Sequence, residues 1–295
     1  MRDYLIDFFA KFDYPEEARE VLLNAYDILT KNAEDKAILN GLFEEYKANM
    51  NCSMLAHFKA VEAMSERLGV HVNISTLLLF ICHSKQLKEY YKQKGISEDI
   101  WFNTISDLKY KLIECKLVKG MWGSFVPVWF FDFYSLKRFA LGRLQFELYK
   151  FKRDYVEGDV VLTPDSPCLN VHIPRTGGRL DHEDVMKAYE LASNFFAKEF
   201  EGKPIVFICH SWLLYPRINA LLSPKSNIYA FANDFKVIET GDDKDYSEVW
   251  RLFDVDYEGN PDNLPQDTSL RRAVTELIRN NEKYGWGFGV YIYKK

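Results

Sequence analysis

Residues 168–200, CLNVHIPRTGGRLDHEDVMKAYELASNFFAKEF, decide how the second half of this chain folds. They read as a short alternating strand, a glycine loop and a long amphipathic helix, and the apolar segment Pro204–Trp212 follows at once. A strand, a helix and a strand in this order form a right-handed crossover between parallel strands. Ligands of such sheets bind beyond the carboxyl ends of the strands, so we expect a binding site at the loop.

The loop has the composition of an anion-binding site. Successive glycines let backbone N–H groups turn towards a common point, and the following helix adds the positive end of its dipole. Arginine on either side adds charge and paired donors. The open alternative is an ordinary turn whose helix is capped internally by Asp181 and Glu183. We predict a pyrophosphate site formed by Ile173, Arg175, Thr176, Gly177, Gly178, Arg179 and Leu180.

Two histidines stand at the carboxyl ends of the two predicted strands. His172 and His210 can act as acid or base near neutral pH, or can simply hydrogen-bond at a polar rim. A nucleophile at Ser211 or Cys209 is disfavoured, because neighbours on a strand point to opposite faces and cannot easily form a triad with His210. Zinc ligation by His172, His182 and Cys209 lacks the spacing of a metal motif, so we predict no metal.

The chain divides in composition near Gly120–Gly123. Residues 1–122 show helical periodicity almost throughout, and His57, His71 and His83 are interpreted there as structural or solvent-facing residues. Residues 123–295 are richer in Gly, Pro and strand patterns. We therefore predict an α+β protein: an all-helical domain at 1–122 and a mixed sheet flanked by helices at 123–295.

The tail of the second domain carries further patterns. Phe235–Ile238 and Val249–Val255 flank a polar turn and are predicted to form a hairpin. Ser269–Asn280 is predicted to be a helix capped by Thr268 or Asp267. Glycines 285, 287 and 289 alternate with larger residues, so a bulky neighbour is expected to pack closely on their face of the last strand.

Charge and hydropathy exclude some classes of partner. The net charge is −5, with 38 Lys and Arg against 43 Asp and Glu, and no basic block predicts a nucleic-acid surface. The longest apolar run, Leu77–Cys82, is far shorter than the roughly 20 residues of a membrane span. Five scattered cysteines are typical of reduced thiols. We expect a cytoplasmic protein with no membrane partner.

The order of elements resembles the GNAT superfamily of acyl-coenzyme A-dependent N-acyltransferases. Its pyrophosphate loop reads Gln/Arg-x-x-Gly-x-Gly/Ala, and 175–180 matches the Arg and the first Gly, with Leu180 at the last small position. The chain is similar to bacterial two-domain acyltransferases with a helical domain before a GNAT-like domain. The resemblance rests on the segments LGRLQFE (141–147), LNVHIP (169–174) and CHSWLLYP (209–216).

This resemblance implies an activity. Acetyl-CoA or another acyl-CoA would donate its acyl group to an amine of a small molecule or peptide, with the pantetheine arm between the two parallel strands. Tyr229 or Tyr215 would protonate the departing thiolate, and His172 would act as base because no Glu stands at the usual place. Two alternatives remain at this point: a catalytically inactive GNAT-like ligand-binding or interaction protein, and a hydrolase using Ser211 or Cys209.

Overall fold

A computed structural model describes residues 1–176 and 178–294 of the chain. It divides into two compact units, Met1–Phe139 and Ala140–Lys295. The domain boundary between residues 122 and 123 stays a prediction. No helix in the described ranges is long and apolar enough to cross a membrane.

The first unit consists of helices packed around one central helix. The helix Val72–Gln93 is buried without interruption from Ser75 to Ser84, because most residues of this stretch are apolar or small. Ser97 caps the next helix by accepting a hydrogen bond from the Ile100 N–H at 3.3 Å. The helices are α1 (Arg2–Lys11), α2 (Glu16–Leu29), α3 (Ala33–Ala48), α4 (Met54–Leu68), α5 (Val72–Gln93), α6 (Glu98–Lys119) and α7 (Phe131–Tyr134).

The second unit is built on a mixed sheet with helices around it. The strands are β1 (Arg138–Leu141), β2 (Leu144–Lys150), β3 (Tyr155–Glu157), β4 (Val160–Leu162), β5 (Pro167–His172), β6 (Ile205–Ser211), β7 (Lys236–Asp243) and β8 (Tyr284–Tyr293). The helices are α8 (His182–Phe195), α9 (Ala197–Phe200), α10 (Pro216–Ala220), α11 (Asn227–Asn233), α12 (Trp250–Phe253) and α13 (Ser269–Arg279).

The main sheet has the strand order β1-β2-β5-β6-β8-β7, and β3 pairs with β4 in a separate ribbon. Strands β5 and β6 are parallel and are joined through α8, whereas the other measured pairs of the main sheet are antiparallel. The predicted crossover and the α+β class are therefore confirmed. Aromatic residues bury the α8 side of the sheet, where Tyr189 lies 4.7 Å from Phe207 between ring centroids.

The predicted hairpin after residue 235 is wrong. Strand β7 runs on through Gly241 to Asp243 and pairs with β8, because Gly241 leaves room for the ring of Trp286 directly against its backbone. Val249 and Phe253 are fully buried four residues apart, which is helical spacing, and Trp250–Phe253 is a helix rather than a strand.

The glycines of β8 are close-packing positions, as expected. A Cβ atom on Gly287 would lie 2.4 Å from the Leu214 carbonyl oxygen, and one on Gly289 would lie 2.7 Å from Phe235 Cβ. The short 3-10 turn Trp212–Leu214, which follows β6, is thereby held against the sheet. This packing fixes the chain directly after the carboxyl end of β6.

Candidate active site

The centre of the sheet opens between β5 and β6. These parallel strands pair only at Leu169 with Phe207 and at Asn170 with Ile208. Each strand continues beyond that point on its outer side, where β5 stays paired with β2 as far as His172 and β6 with β8 as far as Ser211. The two inner edges therefore separate towards their carboxyl ends and leave a gap lined by main-chain groups.

His172 lies at this gap beside a carboxylate that the sequence analysis missed. Its Nε2 atom is 3.2 Å from Glu147 Oε2 on β2 and 3.3 Å from Asn170 Nδ2. The register pairs Glu147 with Asn170, so all these side chains share one face of the sheet. The His172 and Glu147 side chains are only 18% and 17% exposed, so the pair is largely shielded from water.

His210 occupies the equivalent position on the other side of the gap. It follows Ile208 by two residues, as His172 follows Asn170, so both histidines point to the same face. Its ring lies against Trp286, with ring centroids 4.2 Å apart. Partial burial lowers the pKa of His210 below its ordinary value of 6.5, although the residue keeps an exposed edge.

The two candidate tyrosines differ in environment. The Tyr215 hydroxyl donates to Asp242 Oδ1 at 3.0 Å, and burial followed by this carboxylate raises the pKa of Tyr215 to about 12. Tyr229 is half-buried on α11, and its hydroxyl bonds to no other residue that the structure describes. The Tyr215 hydroxyl is thus engaged by a carboxylate whereas that of Tyr229 is not, and the role of either residue stays a prediction.

Arg143 holds the two ends of the glycine loop together. It lies in the turn between β1 and β2, and its Nη1 donates to the Pro174 carbonyl at 3.1 Å while its Nε donates to the Arg179 carbonyl at 2.9 Å. Inside the loop, Thr176 Oγ1 accepts from the Gly178 N–H at 3.2 Å. Gly177, which was also predicted to bind the ligand, lies outside the described residues.

The loop leaves space above Gly178. Among the described residues, a Cβ atom there would meet Thr176 Oγ1 alone, at 3.8 Å, and the backbone does not adopt a positive φ. Gly178 and Arg179 are exposed and Ile173 is half-buried, whereas Leu180 is buried at 9% exposure. A large residue at 180 is thus accommodated in the protein interior, while the outer surface of the loop stays accessible.

The N-terminus of α8 is not capped by its own acidic residues. Asp181 is the N-cap residue but makes no side-chain hydrogen bond to the helix, because its Oδ1 accepts from Asn227 Nδ2 at 2.6 Å. Glu183 pairs with Lys187 at 3.0 Å. The acidic residues therefore remain beside the helix dipole, as the sequence alternative expected, but no side-chain hydrogen bond from the N-cap Asp181 occupies the first-turn amides.

The two arginines of the loop have different partners. Arg175 forms a bidentate ion pair with Asp254, which also binds Arg271 Nη2 at 2.7 Å. Arg179 is exposed at the surface of the loop. The structure therefore places Arg175 as an anchor of the loop to the segment after α12, and leaves Arg179 as the accessible guanidinium.

Models of known families match both units. An N-acyltransferase N-terminal domain matches residues 3–136, and a GNAT-like C-terminal domain matches residues 138–291. The chain is a two-domain GNAT-like acyltransferase. The family confirms the expected enzyme class and argues against the catalytically inactive alternative. A comparison with curated protein sequences gave no match.

This GNAT-like acyltransferase also resembles solved structures over nearly its whole length. An acyltransferase in complex with decanoyl-CoA and teicoplanin is 22% identical, with a TM-score of 0.76, covering 98% of this chain and 87% of that chain. An acyltransferase mutant in complex with octanoyl-CoA is 21% identical, with a TM-score of 0.77, covering 99% and 88%. These similarities concern the fold.

The hydrolase alternative does not suit the GNAT-like site. Cys209 is fully buried, and burial raises the pKa of its thiol far above the ordinary value, so the nucleophilic thiolate is disfavoured. Ser211 accepts a hydrogen bond from the Leu213 N–H at 3.2 Å and caps the 3-10 turn. His182 pairs with Asp234 at 2.8 Å, and the described residues do not bring it together with His172 and Cys209.

Glu147, Arg143 and Asp254 were missed because their roles depend on contacts between distant residues. Glu147 is a polar position in the alternating strand LQFELYK, and Arg143 belongs to the segment LGRLQFE. That segment was recognised as part of the resemblance but not as part of the site. Only the pairing of β2 with β5 places both residues beside the loop and the gap.

Proposed function

We propose that this enzyme is an acyl-CoA-dependent N-acyltransferase that transfers the acyl group from the thioester to an amine of a small molecule or peptide. The observation that carries the proposal is the early separation of β5 from β6 beside the Glu147–His172 pair. A pantetheine arm is a narrow chain with amide groups, and it matches a gap lined by the main-chain groups of β5 and β6 beyond their last paired residues.

The coenzyme phosphates would bind at the loop that leads into this gap. The first-turn amides of α8, the space over Gly178 and the exposed Arg179 supply donors and positive charge. Arg143 and the Arg175–Asp254 pair hold the loop in place. A preorganised loop loses little conformational entropy when it binds, which favours affinity.

The chemistry requires one bond to form and one to break. The acceptor nitrogen attacks the thioester carbonyl carbon, the C–S bond breaks, and the products are an amide and free coenzyme A. We assign His172 to take the proton from the amine, with Glu147 stabilising the imidazolium that forms. His210 lies across the gap as a second acid–base group, and Tyr229 is the candidate donor to the thiolate.

The acyl group and acceptor are proposed from the similar structures. Octanoyl-CoA, decanoyl-CoA and the glycopeptide teicoplanin are bound in those proteins, so a medium-chain acyl-CoA and an amine-bearing small molecule are the first candidates here. Acetyl-CoA is the shorter alternative. Acyl chains of different length separate these candidates because each buried methylene contributes about 0.8 kcal/mol.

Isothermal titration of the full chain with acetyl-, octanoyl- and decanoyl-CoA tests the proposal. We expect binding that strengthens with chain length, and release of free thiol when a panel of amines is added. No binding of any acyl-CoA at millimolar concentration would contradict the proposed co-substrate. Binding with no thiol release from any amine, and no difference between wild type and His172→Ala, would contradict the proposed catalysis.

A further inference from the structure

A second cluster of chemically reactive side chains lies in the helical unit, and none of its members belongs to the candidate active site. Glu45 near the end of α3, Cys52 in the following loop and His57 on α4 bring their ligand atoms within 4.8 Å of one another. No other group of at least three His, Cys, Asp or Glu side chains in the described ranges converges in this way.

His57 is the buried member of this cluster. Its side chain is only 1% exposed, and its Nδ1 atom lies 2.9 Å from His83 Nε2, which is also buried. The other nitrogen, Nε2, is 3.3 Å from Glu45 Oε2, yet its direction does not meet the geometry of a hydrogen bond and it has no partner among the described residues. A buried imidazole nitrogen without a hydrogen-bond partner lowers the stability of the fold, unless another atom or ion binds its lone pair or its N–H group.

A metal ion accounts for this arrangement. His57 Nδ1 lies 2.9 Å from His83 Nε2, and in the tautomer in which the His57 Nδ1–H donates to His83, the His57 Nε2 lone pair is directed towards Glu45 and Cys52. A second residue that orients a ligating imidazole in this way is a usual feature of metal sites.

We propose that Glu45, Cys52 and His57 bind a divalent transition-metal ion, with zinc as the best match. Zinc accepts one carboxylate, one thiolate and one imidazole together. Ligand atoms of a tetrahedral zinc site lie about 3.3–3.8 Å apart, so the cluster, at 3.3 Å to 4.8 Å, needs only a small contraction.

The surroundings allow the ion to enter and leave one coordination position open. The Glu45 side chain is 55% exposed and Cys52 is half-buried, so the cluster opens to solvent on one side. With three protein ligands, the fourth position is available to water or an exogenous ligand. The ion would tie the end of α3 to the start of α4 across the loop that contains Cys52.

Isothermal titration calorimetry of the untagged full chain with zinc chloride tests the proposal. We expect one zinc ion per chain, with affinity lowered at least tenfold in Cys52→Ser and in Glu45→Gln. Glu44→Gln is the matched control, because Glu44 is the neighbouring exposed carboxylate and pairs with Lys47 instead. Circular dichroism in the presence of chelator verifies that each variant folds.

The absorption spectrum of the cobalt-loaded protein provides a second measurement, and a purely structural role of these residues would not change it. The Co²⁺-loaded protein should show a thiolate-to-cobalt charge-transfer band that Cys52→Ser lacks and Glu44→Gln retains. Absence of zinc binding by the wild type would overturn the proposal, as would zinc affinity unchanged in Glu45→Gln. Glu45 is exposed, so Glu45→Gln is expected to fold even where Cys52→Ser does not.

Discussion

Glu147 Oε2 lies 3.2 Å from His172 Nε2, and the two residues come from neighbouring strands of the sheet. Replacing His172 with Gln removes the proposed base, and we expect kcat to fall about 10²–10⁴-fold. Glu147→Gln keeps a hydrogen-bond partner but loses the charge, so a fall of about five- to tenfold is expected, because bonds to charged groups are worth roughly 1 kcal/mol more. Thiol release with an active acceptor measures both.

The exposed residue Glu190 on α8 supplies the control for charge loss. Glu190→Gln should leave the rate unchanged. Equal rates for wild type and His172→Gln would contradict the proposed role of His172 as the base.

Arg143 is expected to act on coenzyme binding through the loop. Arg143→Ala removes hydrogen bonds to the Pro174 and Arg179 carbonyls, each worth roughly 1.5–3 kcal/mol when the donor is charged. We expect the Kd for acyl-CoA to rise at least tenfold, as measured by calorimetry. Arg217→Ala, which breaks only an exposed ion pair with Glu282, should leave the Kd unchanged. A similar Kd in both variants would contradict a positioning role for Arg143.

A substitution at Gly178 should change ligand binding without changing the stability of the protein. Its backbone does not adopt a positive φ, and within the described part of the chain a Cβ atom would meet Thr176 Oγ1 alone, at 3.8 Å, so Gly178→Ala should fold with unchanged stability. The added methyl group would project into the space assigned to the phosphates, and weaker binding of coenzyme A is expected. Urea unfolding and calorimetry on the same sample measure the two effects. Unchanged affinity would place the phosphates elsewhere.

His210 should make the C-terminal unit sensitive to acid. Burial holds its pKa below 6.5 in the folded protein, so the unfolded chain takes up the proton first as the pH falls. The contribution of neutral His210 is complete above about pH 6.5 and decreases below it. Urea unfolding at several pH values should show a smaller loss of stability on acidification in His210→Gln. Parallel curves for both proteins would contradict this assignment.

Gly287 is predicted to be required for packing. A Cβ atom at 2.4 Å from the Leu214 carbonyl oxygen cannot be accepted without a backbone shift, so Gly287→Ala should lower the free energy of unfolding by about 1–3 kcal/mol. Urea unfolding measures this change, and Gly178→Ala is the matched glycine-to-alanine control. Equal free energies of unfolding for the two variants would contradict the prediction, because the 3-10 turn after β6 would then shift with no loss of stability.

The sequence predicted elements whose signals are local. Alternation identified β5, amphipathicity identified α8, and a continuous apolar run identified β6, because each pattern follows from the geometry of one element. The Glu147–His172 pair and the Arg143 bonds to the loop join residues 25 to 36 positions apart in the chain. Such contacts depend on strand register, which periodicity does not determine.

The error at β7 has the same origin. The sequence predicts that Gly241 belongs to a turn. In the structure it lies in a strand, and its lack of a side chain makes room for the Trp286 ring on the neighbouring strand. Val249 and Phe253 lay in a short apolar run, for which helix and strand patterns are hard to separate. The sequence predicts His57 and His83 to be structural or solvent-facing residues, and only the packing of α4 against α5 brings them together.

A ladder of two residue pairs between β5 and β6 also affects how this protein can evolve. Where main-chain atoms line a gap, substitutions at positions 171 and 209 change the binding groups little. Insertion or deletion of one residue in either strand would reverse the face of every later side chain and move His172 or His210 to the opposite side. Mutations that alter strand length should therefore be tolerated far less than mutations that alter residue type.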